Sequence, residues 1–480
     1  MLFDHLPRFA EHNDFFPENA INQSVRASAI EALHASTAIY TAEPVVDQLL
    51  DMLSWPQGTN HLVDPACGDG AFLGRALERL LEARPAVTDA EIIEVISGWE
   101  IHSVAASESR QRLTSVLVAG GRGEEAASTL ADLIVREGDF LLDGPTTPTY
   151  DVVAANPPYL RYVNVEQPLR GDYERAMPDY AQADMLHSFI DRCASTLNPG
   201  GEIVMVTSDR WLANQNAAKL REVIGQTWGI AHLERLDCAS AFYRSKVRRQ
   251  GTPPRIHPIA ICLRRADAST APMTKAAIYP DATDLPLPAD GRTLESIAKV
   301  ILAPWIGTPG IFMVDAETVA ARGLPSENLV PAIDTDDIRA GVLVSSDRFV
   351  IRAGKDVEPC EAVLALLDER LPKMSPRGRM SPRWITPERI DKHDLSQPCL
   401  LVPRIAKTLK PIRVPAGVLP TDHNLSIVSA GSATLDEIEA ALCHPLSQKW
   451  MQERAGRLEN GYFSLTTKLL RTLPVWSERS

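Results

Sequence analysis

The run Asn156-Pro157-Pro158-Tyr159 has the most pointed chemistry in this 480-residue sequence. An exocyclic amine on an aromatic ring is a poor nucleophile, because its lone pair is delocalised into the ring. A side-chain amide oxygen and a backbone carbonyl can each accept one of its N–H groups and draw the nitrogen toward tetrahedral geometry. Asn156 supplies such an amide oxygen. Pro157 has no N–H but keeps its carbonyl, and two adjoining pyrrolidine rings stiffen the turn. Tyr159 offers a flat face on which a base turned out of a helix can stack. A second constellation, Val63-Asp64-Pro65-Ala66-Cys67-Gly68-Asp69-Gly70-Ala71-Phe72-Leu73, runs from an apolar stretch through glycines into a helical pattern. Glycines there let a ligand approach the backbone, and the helix start adds partial positive charge. Glu100 closes the next apolar run, where a carboxylate can accept from both hydroxyls of a ribose. A dinucleotide fingerprint would place its acidic residue nearer, about 20 residues on. Cys67 reads as a small packing residue of the loop, not a nucleophile.

The elements that must hold these residues alternate. Apolar runs at His61–Pro65, Val95–Ile101, Leu133–Glu137, Tyr150–Ala155, Glu202–Ser208, Ala231–Asp237 and Ile259–Leu263 read as strands. Amphipathic stretches at Phe72–Ala83, His102–Val118, Met185–Leu197 and Ala213–Thr227 read as helices, with Asn198-Pro199-Gly200-Gly201 a stop between the third of these and the next strand. This predicts an α/β, mainly parallel, doubly wound sheet. Residues 1–36 form an N-terminal extension with a short helix near Ser24–His34, and 37–265 the α/β domain. Residues 266–292, with Pro272, Pro280, Pro286 and Pro288, suggest a linker. Residues 293–480 read as a separate α+β domain, with a late helix near Leu435–Leu442.

Composition narrows the class. Charged residues make up 23% and apolar ones 45%, ordinary for a globular protein. No apolar run has a membrane span's length and the start shows no signal pattern, so the expectation is a cytoplasmic protein. Seven cysteines without a C-x-x-C pair argue against a zinc site or a disulfide framework, and no metal is expected. The net charge of −13 is unevenly spread. Between Arg370 and Arg413 eleven Lys/Arg face three Asp/Glu, a local +8 that leaves −21 for the rest. Alone, such a run is a solvated face. Beside a site that calls for nucleic acid, it is a phosphate-binding footprint.

Taken together, the motifs resemble the γ-class, TaqI-like adenine-N6 DNA methyltransferases of restriction–modification systems, over roughly residues 37–265. That resemblance implies a Rossmann-like class I methyltransferase sheet, S-adenosylmethionine as cofactor, and a C-terminal target-recognition domain. Thr41, in Ala38-Ile39-Tyr40-Thr41-Ala42-Glu43-Pro44, is similar to the family residue that closes over the methionine end of the cofactor. Asp64 and Ala66 match loop positions at the methionine, with Gly68 beside them. Glu100 and Ile101 match the pair at the ribose and adenine. Asp139, in Gly138-Asp139-Phe140, matches the partner of the cofactor's adenine amine, and Phe140 the residue packed on its ring. Pro158 counts with the cofactor residues; Asp184 and Phe189 resemble the motif after the catalytic loop. Phe242, in Ser240-Ala241-Phe242-Tyr243-Arg244, resembles the aromatic facing the target base opposite Tyr159, with Tyr243 the alternative.

The implied reaction is direct displacement onto an adenine N6, with Asn156, Pro157 and Tyr159 catalytic and no metal, covalent intermediate or strong base. The gain comes from positioning and from excluding water. The implied partner is double-stranded DNA, met by Arg377, Arg379, Arg383, Arg404, Lys407 and Lys410, with Trp384 and His393 among them. The chain is expected to be monomeric. It shows no nuclease signature of its own, which leaves room for a separate restriction endonuclease. Two alternatives stay open: an N4-cytosine DNA methyltransferase, in which Ser usually replaces Asn156, and a catalytically silent DNA-binding specificity subunit.

Overall fold

The structure is a computed structural model that describes residues 17–57, 60–243, 257–339, 342–343, 347–353, 357–374, 384–422, 424–458 and 461–476. The chain divides into two compact units, Met1–Pro280 and Asp281–Ser480.

The first unit is built on an eight-stranded sheet. Outside it, β1 is Tyr40–Thr41 and β8 is Phe242–Tyr243. Within it run β2 (Leu62–Asp64), β3 (Ile96–Glu100), β4 (Val135–Glu137), β5 (Tyr150–Ala155), β6 (Leu197–Ser208), β7 (Trp228–Arg235), β9 (Pro258–Arg265) and β10 (Ala271–Pro272). The order is β10-β7-β9-β6-β5-β2-β3-β4. Strands β4, β3, β2, β5 and β6 are parallel, and β9 lies antiparallel between β6 and β7. All seven strands read from the sequence are present, and the doubly wound α/β class holds.

Alternation along the strands shows why the sheet is covered on both faces. Val63, Val153, Ala155, Ile203 and Met205 enter one apolar cluster with Phe189, Ile190 and Leu220. Their neighbours Leu62, Val152, Ala154, Val204 and Val206 enter the other with Leu73, Leu77, Leu113 and Leu117. The chain runs outward from β2 to β4, then restarts at β5 on the other side of β2. Ligands in open α/β sheets bind in the crevice at such a reversal, off the carboxyl ends of the strands. Asp64, Glu100, Asp139 and Asn156 all sit at or just past those ends.

Helices α1 (Pro17–Thr37), α2 (Glu43–Leu50), α3 (Ala71–Ala83), α4 (Asp89–Val95) and α5 (Ser103–Ala119) precede β4. Three details depart from the sequence reading. Helix α1 is longer than Ser24–His34. Asn198–Gly201 does not separate helix from strand: β6 already starts at Leu197, and the irregularity is taken up by Gly200 at φ +89 and a register shift between Tyr150 and Val152. The stretch Ala213–Thr227 is not one helix but Arg210–Ala213, a 3-10 turn at Gln215–Ala217, and Ala218–Ile224. The reason is Arg221, 1% exposed, whose guanidinium takes the carbonyls of Trp211 and Asn214 that a continuous helix would use itself.

Part of the expected linker is structured. Ala271–Pro272 pairs with β7 at the sheet edge and Met273 is buried, so the division between Pro280 and Asp281 falls inside 266–292. The second unit is α+β. A four-stranded antiparallel sheet runs in the order Ala298–Leu302, Leu425–Ser429, Cys399–Val402, Ile412–Val414. It shares a core of Val300, Leu400, Leu425 and Ile427 with helices Leu435–Cys443, Pro445–Arg454 and Thr467–Arg471. Another sheet, of Met313–Asp315, Arg348–Ile351, Leu329–Ile333 and Leu419–Pro420, packs with helix Glu361–Arg370. No helix among the described residues is long and apolar enough to cross a membrane.

Candidate active site

The glycine loop leaves β2 at Asp64, which is 1% exposed and accepts from the Ala66 N–H at 3.1 Å. Gly68 and Gly70 lie in the left-handed region at φ +55 and +82. A Cβ on Gly68 would stand 2.9 Å from Tyr40 Cε1, and one on Gly70 2.6 Å from Ser109 Oγ. Both positions therefore need glycine for conformation and for space. Glu100 holds the loop from the next strand. Its Oε2 accepts from the Gly68 N–H and its Oε1 from the His102 N–H, each at 2.9 Å. Burial pushes the Asp64 carboxyl well up and raises Glu100 as well, although backbone N–H groups oppose the shift. Cys67 is buried beside Ser109 with its thiol pushed well up, as a packing residue and not a thiolate nucleophile would be.

Asp139 caps the short helix Phe140–Asp143, accepting from the Leu141 N–H at 3.1 Å. The Tyr173 hydroxyl donates to its other oxygen at 2.9 Å, and Arg26 of α1 stands 3.8 Å away. Burial raises its carboxyl to about 6. Arg26 also bonds Asp172 at 2.5 Å, and His34 of α1 stacks on His102 with centroids 3.7 Å apart. These contacts lay the end of α1 over the site. Phe140 and Phe189 stack with centroids 6.4 Å apart, and Asp184 caps the helix starting at Met185.

Asn156 follows β5 directly. Its Nδ2 donates to the Ile39 carbonyl at 2.9 Å. A carbonyl can only accept, so the amide is held one way round, with Oδ1 turned from Ile39. That oxygen is met by the Tyr159 hydroxyl, which also lies 2.6 Å from the Val206 carbonyl. Tyr159 is therefore not a free stacking face in this structure: its ring packs on the core under β5 and its hydroxyl points to Asn156 and β6. Pro157 is buried. Strand β8 pairs with β1, setting Thr41 opposite Phe242 and Tyr40 opposite Tyr243. The Tyr243 hydroxyl is committed to Asp69 and to Arg112. Phe242 is half-buried against the apolar cluster of α2 and α3.

One pocket gathers most of the expected residues. Thr41, Asp64, Ala66, Gly68, Glu100, Ile101, Asp139, Phe140 and Pro158 all line it, with Asn156. Pro157, Tyr159 and Phe242 are not among its lining residues. Leu33, His34, Thr37, Tyr40, Asp69 and Tyr173 line it too, none of which the sequence reading assigned. A polar hydroxyl at residue 173 or a basic one at 26 carries no local motif, and only tertiary contact gives either a role. The lining fits S-adenosylmethionine. A desolvated carboxyl at Asp64 suits a ligand bearing ammonium charge, and one at Glu100 suits a pair of ribose hydroxyls. Thr41 Oγ1 and Asp69 Oδ1 are buried with no hydrogen-bond partner, which a polar ligand would supply.

Of the six basic residues expected at DNA, Arg377, Arg379 and Arg383 lie outside the described residues. Arg404, Lys407 and Lys410 are exposed in the second unit, and Lys407 Nζ stands 4.9 Å from the Tyr462 ring centroid. Elsewhere in the basic stretch, the exposed Arg389 pairs with Asp391, and the exposed Arg413 with Asp436 and Glu439, so part of their charge is balanced locally.

A family model described as Eco57I restriction-modification methylase matches residues 124–239. The Type II methyltransferase M.PaeR7I of Pseudomonas aeruginosa is 25% identical, over 93% of this chain and 87% of its own length. The Type II methyltransferase M.XhoI of Xanthomonas vasicola is 24% identical, over 91% and 90%. Among solved structures, the Type IIL restriction-modification enzyme MmeI in complex with DNA aligns at TM-score 0.57 and 13% identity, over 94% of this chain and 66% of that one. The matched region and the two relatives support a methyltransferase of restriction–modification type with S-adenosylmethionine as cofactor, as the motifs imply. The solved structure shows the fold.

Proposed function

We propose, with a methyltransferase of restriction–modification type as premise, that this chain transfers a methyl group to the N6 amine of an adenine everted from double-stranded DNA. The observation that carries the reading is the Asn156 amide. It is oriented by the Ile39 carbonyl, adjoins the cofactor pocket, and presents an acceptor oxygen to whatever replaces the Tyr159 hydroxyl. Bound S-adenosylmethionine supplies an electrophilic methyl on a sulfonium. Asn156 Oδ1 accepts one N–H of the target amine and the Pro157 carbonyl the other, which localises the nitrogen lone pair for in-line attack. Thr41, Asp64, Ala66 and Gly68 hold the methionine end, Glu100 and Ile101 the ribose, and Asp139, Phe140 and Pro158 the adenine. Tyr159 then leaves Asn156, and its ring and that of Phe242 enclose the everted base. No buried base is needed, and the amine's proton passes to solvent. Arg404, Lys407 and Lys410, with Arg377, Arg379 and Arg383, contact phosphates.

The test is Asn156→Ala. Methyl transfer should fall by at least a hundredfold, while S-adenosylhomocysteine affinity stays within about threefold. Methylation-sensitive long-read sequencing of DNA from cells expressing the parent protein should show N6-methyladenine at one recurrent sequence. N4-methylcytosine, or no modified base, would overturn the adenine reading.

A further inference from the structure

We infer that Tyr243 is a positioning residue that ties the target-base aromatic to the cofactor loop, so that cofactor and everted base bind with positive coupling. The inference rests on the proposed function and adds a residue to it. Strand β8 is two residues long, and each is paired with one of β1: Phe242 with Thr41, Tyr243 with Tyr40. The ladder extends one step further, through the Ala42 N–H to the Ala241 carbonyl at 2.9 Å. Adjacent strand residues face opposite ways. Tyr243 is turned to the glycine loop, where its hydroxyl donates to Asp69.

Arg112 of α5 braces this contact from behind. Its guanidinium lies 3.0 Å from the Tyr243 hydroxyl, 2.9 Å from Asp69 Oδ2 and 3.0 Å from the Asp69 carbonyl. Asp69 lines the cofactor pocket, and its Oδ1 is buried without a partner. Next to it, Gly68 lies under the Tyr40 ring, whose centroid is 6.0 Å from that of Tyr243. Any adjustment of Gly68 and Asp69 to a ligand therefore bears on both tyrosines. The backbone of Tyr243 is continuous with that of Phe242. One rigid unit thus carries a cofactor contact, Thr41, and a target-base contact, Phe242, with the Tyr243 phenol tying it to Asp69.

Tyr243→Phe removes that tie and keeps the ring. The probe is a duplex with 2-aminopurine at the methylated adenine of the sequence mapped above. Its fluorescence reports eversion, and its affinity is measured with and without S-adenosylhomocysteine. For the parent chain, the cofactor product should tighten the duplex by on the order of tenfold, and the duplex should tighten the cofactor product by the same factor. For Tyr243→Phe the factor should fall below about threefold, while the affinity for S-adenosylhomocysteine alone and the melting temperature hold. A loss confined to folding would lower the melting temperature and both separate affinities without selecting the coupling. Should Tyr243→Phe fail to fold, Arg112→Gln, which strips the phenol of its brace, takes the same measurement. Undiminished coupling in a folded variant overturns the inference and leaves the proposed function standing. A parent chain that neither everts the probe nor methylates the matching duplex with adenine at that position overturns both.

Discussion

Asp139 offers a quantitative handle on the cofactor site. Its carboxyl is raised to about 6, first by burial and against the pull of the Tyr173 hydroxyl, the Leu141 N–H and Arg26, with Asp143 adding to the rise. If the charged form accepts the amine of the cofactor's adenine, affinity must follow its ionisation. With a midpoint at about 6, roughly 90% is charged at pH 7 and roughly 10% at pH 5. The dissociation constant for S-adenosylhomocysteine should therefore rise about tenfold between those values. Asp139→Asn keeps an acceptor oxygen and should lose most of this dependence. Asp64 and Glu100 are raised too, so the comparison with the variant isolates the share of Asp139. The same shift has a cost in the cofactor-free protein. A folded-state value above the unfolded one favours folding below about 3.8, and that contribution is lost as pH rises through about 6. Two pH units correspond to about 3 kcal/mol. Asp139→Asn should accordingly raise the melting temperature of the cofactor-free protein at pH 8 by several degrees, and leave it unchanged at pH 4. Isothermal titration from pH 5 to 8 and scanning calorimetry make the two measurements. A pH-independent affinity in the parent, or parallel profiles in parent and variant, would refute the role given to Asp139.

Three further outcomes are expected. Tyr159→Phe should keep the stacking face, whereas Tyr159→Ala should weaken base eversion by about 1–3 kcal/mol, read from the 2-aminopurine signal; equal signals in the two variants would show that the ring does not meet the base. Neutralising Arg404, Lys407 and Lys410 together should lower the slope of log affinity for DNA against log salt by up to about 3, and an unaltered slope would place them in solvent. Arg221→Met strands the carbonyls of Trp211, Asn214, Lys275 and Ala276, and should destabilise the first unit by about 3 kcal/mol or more in urea unfolding; a change below 1 kcal/mol would show that water satisfies them.

What was legible in the sequence was local. β5 followed by Asn156-Pro157-Pro158-Tyr159, and β2 followed by Asp64 to Gly70, announce themselves because strand, turn and ligand group are contiguous. Helix α4 also had a readable signal, Thr88 and Glu91 as a reciprocal capping box, which the amphipathic pattern alone passes over. The roof formed by α1 was not readable, since Arg26 acquires its role from Asp139 and Asp172, far along the chain. Nor was the partner of the Tyr243 hydroxyl, Asp69, which lies 174 positions away. Arg221 broke the expected helix because its guanidinium took the carbonyls of Trp211 and Asn214 while also reaching those of Lys275 and Ala276 far along the chain. The second unit, rich in proline and short strands, has its register set by pairings such as Leu329–Ile333 with the distant Leu419–Pro420, which no window of sequence contains.

The hydrogen bond from Asn156 Nδ2 to the Ile39 carbonyl does more than steady a side chain. An amide free to flip would tolerate a keto oxygen as readily as an amino group, simply by offering its NH2 end. With that end occupied, a hypoxanthine, the product of adenine deamination, would bring oxygen against oxygen and leave both unsatisfied in a dry pocket. On the proposed reading, the anchor makes the site choose an amino over a keto group already at binding, before the absence of a methylatable amine would tell the two bases apart.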